Sequence, residues 1–531
     1  MEPKKFNPYM PIWFAIVLIA GILAGVAISN ERISLLSFNP RPEKLREVMT
    51  WVKKSYVDTI NIGMLEEKAI NGLLQGLDPH SVYINPQEFH ETNDPLIGSF
   101  EWIGVQFRVE QDSITVINTV AGGPSEKTGI KAGDRIVEID DKNVAGIKIS
   151  NTEVMRRLKG PKGTKVDLAI FRRGVDGLLD FTITRDVIPT YSMDIAYMIR
   201  PGVGYIKLNN FSATTAGEVH HALEQLLSHG MQKLILDLRG NGGGYLQAAV
   251  DLADEFLRKG TLIVYTQGAH HPKETFYAHG DGLFENGDLI ILIDEWSASA
   301  SEILTGAIQD NERGTVVGRR SFGKGLVQEQ QNFRDGSAVR LTVARYYTPT
   351  GRCIQRSYEG GTEAYHNDYY NRYLNGELEH PDSIKFADSL KYMTPGGKTV
   401  YGGGGIMPDV YVPLERDSSL QFYNLLVNRG IIYQFAFDFT DRNRTNLSRY
   451  RSAGDFDDHF RITPALYDEF IKYAEKKGVK RQGGNIPESD RKVKILMKAY
   501  IGRNILDNEG FYPILNTMDA GIEKALSLMD S

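Results

Sequence analysis

One cysteine in 531 residues, Cys353, rules out an intramolecular disulfide and a cysteine-rich metal site. It leaves the compartment open. Charge of one sign is scarce too: the formal net charge is -6, with no long basic or acidic run. That balance argues against nucleic acid as a partner. The glycine run in LDLRGNGGG lacks G-x-G-x-x-G and has no Lys-Ser/Thr behind it, which argues against a nucleotide-phosphate loop. Neither a metal nor a cofactor is expected. At roughly 150 residues per domain, the length suggests three or four domains.

Long apolar runs are also rare, with one exception. Met10 to Ile28 is uncharged and almost wholly apolar, with Lys4 and Lys5 before it and Glu31 and Arg32 after it. A helix of this length spans about 28 Å, near the hydrocarbon thickness of a bilayer. A membrane anchor is therefore expected at residues 10–28, with residues 1–9 cytoplasmic. A cleaved signal peptide ending near Gly25-Val26-Ala27 is the competing reading, and signal cores are usually shorter. Both readings export the rest of the chain, to a bacterial periplasm or cell envelope.

The chemistry concentrates in Leu289 to Gln328. Leu289 to Ile293 reads as a buried strand, Trp296 to Ser301 as a small-residue turn, and Ile303, Leu304, Ala307 and Ile308 recur at helical spacing. A serine at a strand-to-helix corner is where acyl-transfer folds place a nucleophile, because free N–H groups at the helix start can face an oxyanion. Ser297, Ser299 and Ser301 all compete for that place. Lys324 stands between Gly323 and Gly325, which permits close approach to another backbone, and is a candidate base. It must be neutral to act. Lowering a lysine from about 10.4 to about 7–8 corresponds to about 4 kcal/mol of bias against the charged form. Burial beside Phe322 and Leu326 would supply that bias. Gln328, four residues on, shares the face of Lys324 in a strand and can orient its amine without adding charge.

SASASE followed by FGKGLVQ resembles the C-terminal processing peptidases, or tail-specific proteases, which use a Ser–Lys dyad. Within that resemblance only Ser299 stands 25 residues before Lys324, and Gln328 matches the family's third residue. Asp310 matches an acidic position of the family. A structural role suits it, since a charged neighbour would hold Lys324 protonated. LDLRGNGGG resembles the family's LDLRxNxGG motif. Its glycines let main-chain N–H groups approach a developing negative charge. Gly243 is the expected oxyanion donor beside Ala300, with Gly242 or Gly244 as replacements.

LDPHS, at Leu77 to Ser81, is similar to a family segment that closes a small helical region. His80 is a candidate base, but Asp78-Pro79 starts a turn, nothing nearby in sequence gives His80 a partner, and it is expected to satisfy local backbone groups. Gly98 to about Val187 resembles a PDZ domain, which binds peptides by strand addition and holds a C-terminal carboxylate on backbone N–H groups. Its carboxylate loop is expected at Trp102, Ile103, Gly104 and Val105, with Val154, Met155 and Leu158 as groove contacts or core. Arg172 and Arg173 either couple this domain to the protease body or are solvated charge.

The expected fold class is multidomain, α+β and α/β. A crotonase/ClpP-like protease body carries an inserted PDZ domain, an N-terminal membrane anchor and a helical C-terminal domain. The divisions are 42–97 helical, 98–187 PDZ, 188–414 body with a surface insertion at about 357–398, and 418–531 helical C-terminal domain. The last packs on the body or mediates assembly, and homo-oligomerisation is open. The expected function is an envelope serine endopeptidase acting on polypeptides with accessible C-terminal tails. Two alternatives stand beside it: a non-catalytic PDZ-bearing adaptor on a degenerate body, and, by fold analogy, an acyl-thioester enzyme.

Overall fold

The structure, a computed structural model, describes residues 9, 13, 15–21, 43–110, 112–120, 122–384, 386–415, 418–481 and 487–530. Most of the expected anchor, Met10 to Ile28, lies outside the described residues. Among the described residues no helix is long and apolar enough to cross a membrane.

The chain divides into two compact units between Leu73 and Leu74. The first contains the helix Glu43–Ser55 and most of the helix Ile62–Gln75. Leu45, Met49, Ile62, Ile70 and Leu73 line one groove there, whereas Val48, Tyr56 and Val57 are exposed.

The second unit is built on a six-stranded sheet. Its order is Met193–Arg200, Val203–Leu208, Lys233–Asp237, Asp288–Ile293, Thr315–Gly318 and Val410–Tyr411. The first pair is antiparallel and the other four are parallel. Alternation along the central strands explains why they read as continuous apolar runs. Leu234, Leu236, Ile291 and Ile293 pack under the helices Thr215–Ser228, Leu246–Asp254 and Ala300–Asp310. Ile235, Ile290 and Leu292 face the other way, onto Ile522, Ala525 and Met529 of the C-terminal helix Ala520–Met529. A parallel sheet covered on both faces leaves no polar side to its strands. The helical C-terminal region thus packs on the body, and Arg239 ties it to the glycine loop through Asp519 at 2.9 Å.

A second, antiparallel sheet pairs Val82–Ile84, Ala338–Tyr347, Leu262–Gln267 and Glu274–Tyr277, with Leu326–Asn332 also on Ala338–Tyr347. It carries Gln328 and Arg340.

Residues 105–184 form their own antiparallel sheet around one apolar core. The strand Val105–Glu110 lies at its edge. The helix Asn151–Leu158 is capped by Ser150 Oγ, which accepts from the Glu153 N–H at 3.2 Å. Arg172 pairs within this domain to Asp134 at 2.7 Å, while Arg173 reaches Asp441 of the C-terminal helical region at 3.4 Å. Neither arginine reaches the six-stranded body among the described contacts, and Arg173 remains largely exposed, as solvated charge would be. Arg108 of the edge strand lies 4.3 Å from the ring centre of Tyr433 in that same region.

The segment 357–398 is less superficial than its polar composition suggests. Tyr365, Arg372 and Leu378 are buried, and Arg372 donates to the carbonyls of Ser321 at 2.8 Å and Phe322 at 3.2 Å. It packs behind the FGKG loop because Arg372 satisfies carbonyls that this loop leaves open.

Candidate active site

The two central parallel strands end at the same edge of the sheet, the usual place for an α/β crevice. Lys233–Asp237 runs into the glycine loop, and Asp288–Ile293 runs into the turn before Ala300–Asp310. Ser299 is the corner residue, with φ 55° and ψ -114°. A side chain costs energy in that region, of order 1–3 kcal/mol, and strained corners of this kind cluster at reactive residues.

The structure separates the three serines. Ser297 and Ser301 are fully buried. Ser297 Oγ donates to the Leu238 carbonyl and Ser301 Oγ to the Asn241 carbonyl, each at 2.9 Å. Both hydroxyls hold the glycine loop. Ser299 alone lines a cleft of ≈ 440 Å³, together with Gly242, Gly243, Gly244, Lys324, Gln328, Arg340 and Tyr346.

The glycine loop presses on this corner. A Cβ at Gly243, where φ is 96°, would lie 2.8 Å from both Ser299 Cβ and the Ala300 nitrogen. Only glycine fits there. The Gly243 N–H, however, donates to Asn241 Oδ1 at 2.9 Å, and Asn241 Nδ2 donates to the Leu208 carbonyl at 3.0 Å. Those two bonds fix the amide's orientation. The expected donor Gly243 is thus already engaged. Among the described residues the N–H groups of Ala300, Gly242 and Gly244 have no acceptor, and all three glycines border the cleft.

Lys324 is held from several sides. A Cβ at Gly323 would sit 3.0 Å from the Gly405 nitrogen, and one at Gly325 2.8 Å from the Gln355 nitrogen. The flanking glycines therefore admit backbone contacts that side chains would block. Lys324 Nζ donates to Gln328 Oε1 at 3.0 Å. Gln328 Nε2 in turn donates to the His80 carbonyl, which obliges its oxygen to face the lysine. No hydrogen bond joins Nζ to the Ser299 hydroxyl among the described contacts. Burial holds the Lys324 amine below the usual lysine range, and the Arg340 charge adds to this. Glu302 and Asp78 pull the other way. Leu326 is buried and lines the same cleft as the lysine, whereas Phe322 is half-buried and does not line it.

Four groups beyond the proposed dyad, Gln328 and the glycine loop complete the site. Glu302 is fully buried, and its carboxylate accepts from the N–H groups of Ser299, Lys324 and Gly323 at 2.9, 2.8 and 2.7 Å. Burial pushes its carboxyl up, and those bonds partly offset the rise. The spacing Ser299-x-x-Glu302 is the signal that finds it, since it is half of a capping box. Tyr346 OH lies 2.8 Å from the Lys324 carbonyl and 3.2 Å from that of Ser299. His80 does have a partner, contrary to its sequence reading: its Nε2 is 2.8 Å from Tyr365 OH. The local turn is made instead by Asp78, which accepts from the N–H groups of His80 and Ser81. Arg340 is the fourth.

Asp310 takes no part. Its carboxylate pairs with Arg352 at 2.6 Å, both side chains fully buried, and accepts from Thr350 Oγ1 at 2.7 Å. In the PDZ domain Trp102, Ile103, Val105, Val154 and Leu158 are buried in the core, with Met155 half-buried against it. These side chains build the domain. Gly104, φ 76°, makes the turn between the strands. No cluster of three or more His, Cys, Asp or Glu side chains is set to hold a metal among the described residues.

A parallel-sheet body with a strained serine in its crevice, joined to a smaller antiparallel-sheet domain, has the corner geometry of acyl-transfer folds. Residues 202–363 match peptidase family S41, residues 102–183 match the PDZ domain, and residues 422–507 match a family of unknown function. The chain is 36% identical over 313 residues to a carboxy-terminal-processing protease of Bartonella bacilliformis, covering 58% of this chain and 71% of that one. It is also 36% identical over 379 residues to a carboxyl-terminal-processing protease of Synechocystis, covering 66% and 86%. Identity to carboxy-terminal processing protease CtpA of Bacillus subtilis is 32% over 352 residues, covering 65% and 74%. The chain belongs to peptidase family S41, among its carboxy-terminal processing proteases.

Proposed function

We propose that this chain cleaves exported polypeptides at or near their C-terminal tails, with Ser299 as nucleophile, Lys324 as base and Gln328 orienting the amine. The observation that carries the reading is the Ser299 corner, set in a cleft with a half-buried lysine whose amine donates to a neutral amide. Ser299 Oγ attacks the scissile carbonyl carbon as its proton passes to Lys324 Nζ. The carbonyl π electrons move to oxygen, which faces the Ala300 N–H and that of Gly242 or Gly244. Collapse breaks the C–N bond, and the departing amine takes the proton from Lys324. Water then attacks the ester carbon as Lys324 receives its proton, and collapse breaks the C–O bond to Ser299, whose oxygen takes that proton back as the acid product leaves. A carboxylate in place of Gln328 would hold the lysine charged and stop the first step.

The PDZ domain selects or gates the tail by strand addition along Val105–Glu110, an edge strand. Met10 to Ile28 tethers the enzyme to the membrane. A pure adaptor has no use for a strained serine beside a desolvated amine.

The test is cleavage of an unstructured tailed polypeptide by the full chain. Ser299→Ala and Lys324→Ala, each shown folded by circular dichroism, are expected to lose turnover. Normal cleavage by Ser299→Ala would remove the assignment. Retention of the chain in carbonate-washed membranes tests the tether, and release with the soluble fraction counts against it.

A further inference from the structure

We propose that Arg340 recognises a carboxylate on the polypeptide held in the cleft, either the terminal carboxylate of the chain or an acidic side chain near the scissile bond. This rests on the cleft being the peptidase site proposed above.

Arg340 lines the same cleft as Ser299 and Lys324. It lies opposite Gln330 on the neighbouring strand, and Gln330 shares the face of Gln328 two residues earlier. Strand geometry puts that row about 7 Å beyond Gln328, or about two residues of an extended substrate.

Its partners are neutral, as are those of Arg313 and Arg345, whereas other arginines of this body are neutralised. Arg320, Arg352, Arg356 and Arg372 each close on a carboxylate. Arg340 has no carboxylate partner among the described residues. Its Nη2 donates to Gln330 Oε1 at 2.9 Å and lies 3.4 Å from Asn93 Oδ1, both neutral. Its Nε and Nη1 have no acceptor among the described residues. The two amides therefore orient a half-buried cation without neutralising it, and leave donors open toward the cleft. A desolvated guanidinium lacking a counter-charge is costly, and its planar fork matches a carboxylate. A substrate carboxylate fits both needs. Burial also holds the Arg340 side chain below the usual arginine range, consistent with a partly dehydrated site.

Four matched peptides separate the two sources of carboxylate. One pair differs in a free or amidated C-terminus, and the other has Asp or Asn near the scissile bond. Wild-type chain is expected to favour the carboxylate member of one pair by about tenfold or more in kcat/KM, mainly through KM. Arg340→Gln collapses that ratio, and Arg340→Lys restores part of it. Loss on amidation assigns the terminal carboxylate, and loss on Asp to Asn assigns the side chain. Binding of the same peptides, fluorescently labelled, to Ser299→Ala and to Ser299→Ala/Arg340→Gln reads recognition without turnover. A carboxylate preference that disappears in the double variant supports the proposal. Equal affinity within both pairs, or a preference that survives Arg340→Gln and so belongs to the PDZ domain, overturns it. If wild type cleaves none of the peptides, the peptidase reading fails, and the binding arm still decides the role of Arg340.

Discussion

The backbone N–H groups of Ser299 and Lys324 donate to one and the same oxygen, Oε2 of Glu302, at 2.9 and 2.8 Å. A buried carboxylate thus sets the separation of the two segments that carry the proposed dyad. Its charge also favours the protonated amine. Glu302→Gln removes that charge, so the Lys324 pKa falls and the acid limb of the kcat/KM profile moves to lower pH. The new NH2 group confronts existing N–H donors, and stability drops by about 1–3 kcal/mol. A pH-rate profile paired with thermal melting checks both. An acid limb that stays in place would show that Glu302 acts through geometry alone.

Gln328 offers the reciprocal experiment. Gln328→Glu places a carboxylate where Oε1 now lies 3.0 Å from Nζ. The Lys324 pKa rises, and activity at neutral pH falls about tenfold for each unit of that rise. Activity returns as the assay is made more alkaline. Gln328→Leu is expected to lose activity without this alkaline recovery, because it adds no charge. Profiles of the two variants with the same acid limb would contradict the neutral-amide argument.

Asp310 and Arg352 form a pair with no exposed side-chain surface. Removing one partner leaves an uncompensated buried charge, so Asp310→Ala is expected to cost about 3–5 kcal/mol. Below its lowered melting temperature the folded fraction keeps the wild-type pH profile. Denaturant melts with active-site titration test this. A shifted pH limb with unchanged stability would make Asp310 part of the proton path.

His80 predicts an acid weakness. Its pKa is lowered from 6.5 to about 4, first by burial and then by the Lys324 charge. The folded chain therefore keeps the ring neutral, while the unfolded chain takes up a proton below about 6.5. Stability contributed by the neutral ring is present above that value and is lost as pH falls from 6.5 through 4. His80→Gln should flatten the urea midpoint across that window. An unchanged slope would place the acid sensitivity elsewhere.

Local pattern made the central strands and Ala300–Asp310 legible, because the apolar runs and helical spacing are continuous in sequence. The Ser299 to Lys324 spacing was legible only through the family resemblance. What escaped was long-range. Gln328 reaches His80 across 248 positions, and His80 reaches Tyr365 across 285. No local periodicity encodes those contacts. The direction of the Gly243 amide depends on one side chain, Asn241, turning inward.

The corner at Ser299 has one more implication, for selection in the laboratory. Glycine relaxes at φ 55° where serine does not, so Ser299→Gly should melt later than the parent by an amount worth up to about 1–3 kcal/mol. A screen that rewards heat resistance alone would favour that replacement and so enrich inert protein. Durability and turnover pull in opposite directions at this single backbone angle.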